Sequence, residues 1–292
     1  MPSAASVRSA TLIGLVAILL WSTLATLTAA TGGVPPFQLA AMGVVLGTGV
    51  GAARWIVRPA GIRALKQPPS VWALGIGGLF GYHALYFMAL RLAPPAEAGL
   101  INYLWPLLIV LFSAALPGER LRWFHVVGAA FGFLGTAMII TGGRGLSIED
   151  AYLPGYAAAF VCAFVWATYS VLSRRLPDVP TDAVAGFCAA TAVLAALCHL
   201  ALEETVWPAD LPEWAALFAL GIGPIGIAFY VWDYGVKHGD IRVLGAASYA
   251  TPVLSTSLLV LAGFAEASWM LALAAALISV GAVIAALDFL RR

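Results

Sequence analysis

The chain has 292 residues, of which 62% are hydrophobic and 10% are charged, and its formal net charge is +1. Its mean hydropathy is +0.95. A soluble domain is about 45–50% apolar and about 25% charged, because charged side chains must cover its surface. This composition therefore excludes a cytosolic enzyme, a secreted domain and a disordered chain, and it indicates a membrane protein in a lipid bilayer without a nucleic-acid partner.

The apolar runs of the chain are about twenty residues long, which is the length of a helix that crosses a hydrocarbon core of about 30 Å. Barrel strands would instead alternate apolar and polar residues over about ten positions. The first run is longer than the apolar part of a cleaved signal peptide, about 7–15 residues, and is predicted to be a retained helix. We predict an all-α integral membrane protein with about ten transmembrane helices, at residues 10–30, 34–57, 69–90, 95–116, 123–141, 152–173, 181–201, 212–236, 242–263 and 268–289.

The basic residues predict the orientation, because Lys and Arg accumulate in cytoplasmic connections. With the N-terminus in the cytoplasm, the opposite side holds only Arg91 and Arg144, together with the acidic connection between the seventh and eighth spans. Both termini are therefore predicted to be cytoplasmic. The other 13 of the 15 basic residues lie on the cytoplasmic side: Arg8, Arg54, Arg58, Arg63, Lys66, Arg120, Arg122, Arg174, Arg175, Lys237, Arg242, Arg291 and Arg292.

The two halves of the chain repeat each other weakly. Residues 103–106 (YLWP) correspond to 249–252 (YATP) at an offset of 146, and Trp21 corresponds to Trp166 at an offset of 145. Inverted repeats favour a transporter whose site lies near the bilayer midplane, although gene duplication also produces channels and scaffolds. Because five spans turn the second half upside down, we predict two inverted five-helix repeats that together form one transmembrane domain: residues 1–145 and residues 146–292.

Three features recur at matching places in the two halves: a tryptophan in the first span, a proline in the fourth span and an acidic residue after that span. They are Trp21 and Trp166, Pro106 and Pro252, and Glu119 and Glu266. With these features the chain resembles the drug/metabolite transporter superfamily of the EamA type, and its aromatic residues make it similar to the bacterial aromatic amino acid exporters. The resemblance implies a ten-helix carrier of the bacterial inner membrane that exports amino acids or metabolites. It also implies a central cavity lined by the first, third and fourth spans of each half.

The third span contains two tyrosines and a histidine. Tyr82 and Tyr86 are four residues apart and share one helix face, and His83 lies about midway along the span. A titratable side chain at the bilayer centre is costly and indicates function. We predict that His83 lines the cavity, and the alternatives are a neutral packing residue or a proton acceptor.

The fourth span contains Tyr103, Trp105 and Pro106. Proline cannot donate to the carbonyl four residues earlier and kinks a helix. The carbonyl freed by Pro106, and the one freed by Pro252 beside Tyr249, could bind a substrate amine or accept from a neighbouring hydroxyl. The matching positions predict a gating role for both prolines, and the alternative is that they only bend their helices.

Trp166 and Tyr169 form an aromatic stripe along the sixth span, and Trp21 lies mid-span, away from the interfaces where membrane tryptophans usually lie. Rings that carry hydrogen-bonding groups suit an aromatic ligand, and a ligand ammonium can sit over a ring face. We predict export of aromatic and other apolar amino acids by alternating access. The predicted substrate-binding residues are Trp21, Tyr82, His83, Tyr86, Tyr103, Trp105, Trp166, Tyr169 and Tyr249.

Two further patterns predict packing. Asp233 precedes Lys237 by four residues, an order that favours an ion pair on a helix, and the alternative is a counter-charge for the substrate. The row Gly43, Gly47 and Gly51 allows helix backbones to approach closely. We predict that this row joins helices within one chain, and that the protein is a monomer.

No HExxH, P-loop, GxSxG or strand-linked GxGxxG motif is present in the sequence. We therefore expect no enzyme activity, no cofactor and no metal. Two alternatives to the predicted function remain open: an exporter of other small metabolites or drugs, and a channel or sensor without alternating access. Proton-coupled transport and facilitated diffusion both remain open as well.

Overall fold

The computed structural model describes residues 4–117, 121–141, 150–261 and 269–285. Within these ranges all regular structure is helical, which confirms the predicted all-α class. The predicted positions Glu119, Arg144 and Glu266 lie outside the described residues. The α-helices are α1 (Ala4–Ser22), α2 (Leu24–Ala29), α3 (Pro36–Val57), α4 (Pro69–Ile76), α5 (Tyr82–Leu92), α6 (Pro95–Asn102), α7 (Trp105–Ser113), α8 (Trp123–Thr141), α9 (Leu153–Arg174), α10 (Val184–Leu202), α11 (Leu211–Ile222), α12 (Ala228–His238), α13 (Ile241–Ala247), α14 (Ala250–Leu261) and α15 (Trp269–Ala285).

Six helical stretches in the described part of the chain are long and apolar enough to cross a membrane. The other four predicted spans correspond to shorter helices, namely α6 with α7, α8, α13 with α14, and α15. The six long stretches are Ser6–Ala29, Pro36–Val57, Pro69–Leu92, Asp150–Arg174, Thr181–Leu202 and Leu211–His238.

The fourth and ninth predicted spans are broken, where the sequence predicts one kinked helix each. The first break separates α6 from α7 at residues 103–104, and the second separates α13 from α14 at residues 248–249. Pro106 and Pro252 then lie in the first turn of the following helix, where the backbone N–H has no intrahelical acceptor and proline costs least. At the first break the backbone of Leu104 keeps helical torsion angles, and the amide of Tyr103 still donates to the carbonyl of Gly99, so the chain continues in the manner of a kinked helix. The gating role of the two prolines stays a prediction.

A π-helical segment interrupts the third span of each half. These segments cover Gly77–Gly81 and Gly223–Ile227, so they begin 146 residues apart. π-helical turns are rare and frequently occur at functional sites. In the first segment, a Cβ on Gly78 would lie 2.4 Å from the Tyr169 ring, so only glycine permits this contact between the third span and α9.

The glycine row of α3 packs against the second π-helical segment and the start of α12. Gly47 lies against the backbone of Ile225 and Gly226, and Gly51 lies against Tyr230. The hydroxyl of Tyr230 donates to the carbonyl of Gly47 over 2.9 Å. The predicted packing of this row within one chain is confirmed, and it holds α3 close to the span that contains α12.

Candidate functional site

Four tryptophans from four helices meet in the interior of the helix bundle. Every pair among them has ring centroids between 5.1 and 6.4 Å apart. Rings at these separations attract each other by about 0.5–1.5 kcal/mol per pair beyond area burial. The tryptophan tetrad, as we name this group, consists of Trp21 at the end of α1, Trp105 in α7, Trp166 in α9 and Trp232 in α12.

Two indole N–H groups of the tetrad have defined partners. Trp21 donates to the carbonyl of Pro224, inside the second π-helical segment, over 3.1 Å. Trp232 donates to the hydroxyl of Ser170 on α9 over 3.1 Å. Trp21 is half-buried, whereas the other three tetrad rings are buried. The tetrad is therefore a packed group with one partly accessible ring.

Residues of α5 continue the aromatic surface from the tetrad. The Tyr82 ring lies 5.2 Å from Trp166 and stacks on Tyr86 at 6.0 Å. His83 lies 6.2 Å from Phe229 of α12. Tyr82, His83 and Tyr86 are all half-buried, so each keeps part of its surface accessible.

The tautomer of His83 follows from its hydrogen bond. Its Nδ1 atom lies 2.7 Å from the carbonyl oxygen of Leu79. Because a carbonyl oxygen only accepts, Nδ1 carries the proton, and in the neutral ring Nε2 is then the acceptor. The ring contacts Tyr82, Phe87 and Phe229, which are all aromatic.

Asn102 places an amide beside this surface at the break between α6 and α7. Its Nδ2 donates to the hydroxyl of Tyr82 over 3.0 Å. Its Oδ1 is buried and has no hydrogen-bond partner in the described part of the chain. At the same break the amide of Leu107 donates to the hydroxyl of Tyr249 over 3.2 Å. The break therefore leaves one buried acceptor next to the aromatic rings.

The structure brings most of the predicted site residues together. Tyr169 adjoins Trp166 at 5.4 Å, and half-buried Tyr103 lies at the break beside Asn102. Tyr249 is the exception, because its fully buried ring packs on Phe133 and against Gly132 of α8. In this conformation the Tyr249 side chain lies towards α8, and its place in the substrate site stays a prediction. The residues brought together are Trp21, Tyr82, His83, Tyr86, Trp105, Trp166 and Tyr169.

Sequence reasoning missed two aromatic residues of α12 and the side chain of Asn102. The offset of 146 maps His83 to Phe229 and Tyr86 to Trp232, so the repeat contained the signal for both. Asn102 is the only asparagine of the chain. A lone carboxamide directly before a helix break was the available signal for that residue.

A buried polar network holds the end of α12 on the predicted cytoplasmic side. Lys237 donates to Asp233 over 2.8 Å and to the carbonyl of Val179 over 3.0 Å, and Thr181 donates to Asp233 over 2.7 Å. The predicted ion pair of Asp233 with Lys237 is thus confirmed. The network joins α12 to the connection that precedes α10.

A second buried ion pair lies after α12, at the start of α13. Arg242 lies 2.9 Å from Asp240. Burial raises the pKa of the Asp240 carboxyl, but its hydrogen bonds with Arg242 and the charge of Arg242 outweigh burial, so the pKa lies below its ordinary value. Asp240 is therefore a carboxylate at neutral pH.

At the opposite end, Glu203 joins three helices. Its buried carboxylate accepts from the backbone N–H of Phe37 over 3.0 Å and of Gln38 over 3.1 Å, at the start of α3. Arg91, in the last turn of α5, lies 3.2 Å from it, and His199 of α10 lies 3.1 Å from it. A carboxylate at a helix N-terminus is favourable, and here it also anchors α5, which carries the site tyrosines.

Comparison with known proteins is consistent with this architecture. The model of the EamA-like transporter family matches residues 8–141 and again residues 153–287. The aromatic amino acid exporter YddG of Ancylobacter novellus is 61% identical over 282 residues, which cover 96% of this chain and 97% of that protein. The protein of the same name from Salmonella typhimurium is 29% identical and covers 98% of this chain and 99% of its own length.

A solved crystal structure is also similar, with a TM-score of 0.91, 60% sequence identity and coverage of 96% of this chain and 99% of the solved one. The family match and the long apolar helices make the protein a multi-pass protein of the inner membrane. The chain belongs to the EamA-like transporter family.

Proposed function

We propose that the protein exports aromatic and other apolar amino acids from the cell by alternating access of two inverted halves, residues 1–145 and 146–292, with both termini in the cytoplasm. The observation that carries this proposal is the aromatic surface formed by the tryptophan tetrad and the tyrosines of α5. It draws residues from both halves and lies in the interior of the bundle. A site between inverted repeats is where carriers of this kind bind their substrates.

The packing of the helices supports the two-fold relation between the halves. α1 packs on α12 and α5 packs on α9. The helices α1 and α5 belong to the first and third spans, and α9 and α12 belong to the sixth and eighth. A two-fold relation that exchanges the first span with the sixth and the third with the eighth therefore turns the pair α1 with α12 into the pair α9 with α5. The pairs α3 with α10 and α8 with α15 map on themselves. The π-helical segments recur at an offset of 146 residues and the helix breaks at an offset of 145, as expected for an internal repeat.

The chemistry of the site supports an aromatic zwitterion as the substrate. The tetrad offers ring faces for an aromatic side chain. The hydroxyls of Tyr82, Tyr86 and Tyr103 can donate to a carboxylate, and the buried Oδ1 of Asn102 can accept from an ammonium. These groups are neutral, so a substrate without net charge suits them best. The names of the two exporters above support the same substrate class.

The two ends of the site favour a carrier over a channel. Buried polar networks hold the protein at Asp233 and Lys237 on one side and at Glu203 on the other. Between them the rings of the tetrad contact one another and close the path through the bundle at their level. Transport then requires these contacts to open in turn, which is the behaviour of an alternating-access carrier.

Competition in liposomes tests the proposed substrate class. Purified full-length protein is reconstituted into liposomes loaded with unlabelled phenylalanine, and entry of labelled phenylalanine is measured against excess competitors. We expect tryptophan and tyrosine to compete most strongly, leucine less strongly, and glutamate and lysine not at all. Equal competition by every amino acid would contradict the proposed site. Resolvable single-channel currents in planar bilayers would favour the channel instead.

For His83 we expect a hydrogen-bonding role without proton coupling. Its Nδ1–H already donates to the carbonyl of Leu79, and its ring contacts are aromatic. These contacts offer no carboxylate to pair with a charged imidazole, and an unpaired charge at the middle of the membrane is costly. His83→Gln, which keeps a donor and an acceptor, should retain exchange within about threefold, whereas His83→Ala should lower it by about tenfold, the equivalent of 1.4 kcal/mol. Accumulation of phenylalanine against its gradient, driven by an imposed pH gradient and lost in His83→Gln, would contradict this account.

A further inference from the structure

A cavity of about 390 Å³ lies away from the aromatic surface, between α1, the end of α3 and the end of α12. Its volume falls in the range of about 300–1,000 Å³ that small-molecule sites occupy. Its walls include Arg54, Asp182, Tyr234 and His238, and Ile13 of α1 forms its apolar edge. The tryptophan tetrad does not line it, and the proposed transport reaction does not use it.

The cavity offers one cation and one anion side by side. Arg54 lies 3.2 Å from Asp182, and their side chains are 52% and 21% exposed. A guanidinium has five N–H donors, and Asp182 is the one acceptor of Arg54 in the described part of the chain. Arg54 therefore keeps donors for an anionic group, while the carboxylate of Asp182 can accept from an ammonium. A ligand that carries both charges close together matches this pair.

The apolar edge of the cavity lies on helices that are long and apolar enough to cross a membrane. Ile13 lies nine residues into α1, about 14 Å along the helix axis. Ile13 and Tyr234 are each 39% exposed, in spans that are long and apolar enough to cross the membrane. Next to Arg54, the exposed Ile56 and Val57 continue the apolar surface. A ligand in this cavity therefore has a charged head at the membrane surface and an apolar tail.

We propose that this cavity binds the headgroup of phosphatidylethanolamine from the leaflet predicted to be cytoplasmic, with its phosphate at Arg54 and its ammonium at Asp182. An ammonium can donate N–H hydrogen bonds to Asp182, whereas a choline headgroup has no N–H to donate. A purely anionic lipid would leave Asp182 opposite a second negative charge, which is unfavourable. The pairing of the two side chains thus selects the ethanolamine headgroup.

The bound lipid has a route to the transport cycle through Thr181. This residue adjoins Asp182 and donates to Asp233, which is paired with Lys237. A headgroup that fixes Asp182 also fixes the connection that holds the end of α12. The lipid should therefore stabilise the conformation described here.

The thermal unfolding of the full-length protein in detergent tests this proposal. Phosphatidylethanolamine at 100 times its dissociation constant should raise the melting temperature by about 5 °C. Arg54→Gln and Asp182→Asn should each abolish that shift, and native mass spectrometry should show loss of co-purified phosphatidylethanolamine from both variants. The control is Arg58→Gln, an exposed arginine on the same side that does not line the cavity, and it should keep the full shift.

Three ligand comparisons and one variant can overturn the proposal. An equal rise in melting temperature with phosphatidylcholine or phosphatidylglycerol of the same acyl chains would contradict the proposed selectivity for the ethanolamine headgroup. An equal shift with free phosphoethanolamine would assign the cavity to a soluble zwitterion. Should Arg54→Gln fail to fold, Asp182→Asn alone decides the outcome, because an unchanged shift in that variant also contradicts the proposed contact.

Discussion

Replacing Trp166 with alanine should lower phenylalanine exchange by about 100-fold. Trp166 contacts the other three members of the tetrad and also Tyr82, Tyr169 and Phe229. The variant loses the ring face proposed to bind the substrate, and a 100-fold loss of exchange corresponds to about 2.8 kcal/mol. Removal of a buried tryptophan also costs about 3–5 kcal/mol of folding stability. Exchange of labelled phenylalanine in liposomes, normalised to the amount of folded protein, measures the effect.

Trp207→Ala is the matched control for this change. Trp207 is 61% exposed, stacks on Trp214 and lies outside the tetrad. We expect exchange within twofold of the unsubstituted protein. If Trp166→Ala also stays within twofold, the tetrad does not form the substrate site.

Replacing Lys237 with methionine should destabilise the protein strongly. The Asp233 side chain is only 2% exposed, and Lys237→Met would leave its carboxylate buried without a charge partner. Breaking one side of a buried ion pair costs about 3–5 kcal/mol, which at about 2–4 °C per kcal/mol lowers the melting temperature by about 10 °C. Thermal unfolding in detergent measures the shift.

The double variant Asp233→Asn with Lys237→Met separates the cost of an unpaired charge from a general loss of packing. It should recover most of the lost melting temperature, because no charge is then left buried. Lys66→Met, at the end of the short 3₁₀ helix Pro59–Leu65, is the control and should leave the melting temperature unchanged. A double variant as unstable as Lys237→Met would show that the ion pair is not the cause.

The sequence predicts the membrane class and most residues of the candidate site, for reasons that particular residues illustrate. Only helices and closed barrels satisfy the hydrogen bonds of the backbone in a bilayer. Because barrel strands alternate apolar and polar residues, a long apolar run forms a helix there. Trp21 and Trp166 stood out as tryptophans in the middle of such runs, and the structure brings their rings to 5.7 Å. The spacing of Asp233 and Lys237 was enough to predict their contact, because a helix fixes that geometry locally.

Features that depend on contacts between distant segments could not be predicted in the same way. Nothing local to Tyr249 indicates that it turns towards α8, since the break before α14 decides which neighbour it meets. The role of Trp232 depends on three other helices that converge on it. The π-helical segments arise in glycine-containing stretches whose register is set by the neighbouring helices, as the contact of Gly78 with Tyr169 illustrates.

The counterflow of tryptophan in liposomes tests the central claim most directly. Liposomes that contain the full-length protein are loaded with unlabelled tryptophan and diluted into a trace of labelled tryptophan, without a pH gradient. An alternating-access carrier should accumulate the label transiently above its external concentration, and excess external phenylalanine should prevent this. Uptake that equals that of protein-free liposomes across a panel of amino acids would contradict the account.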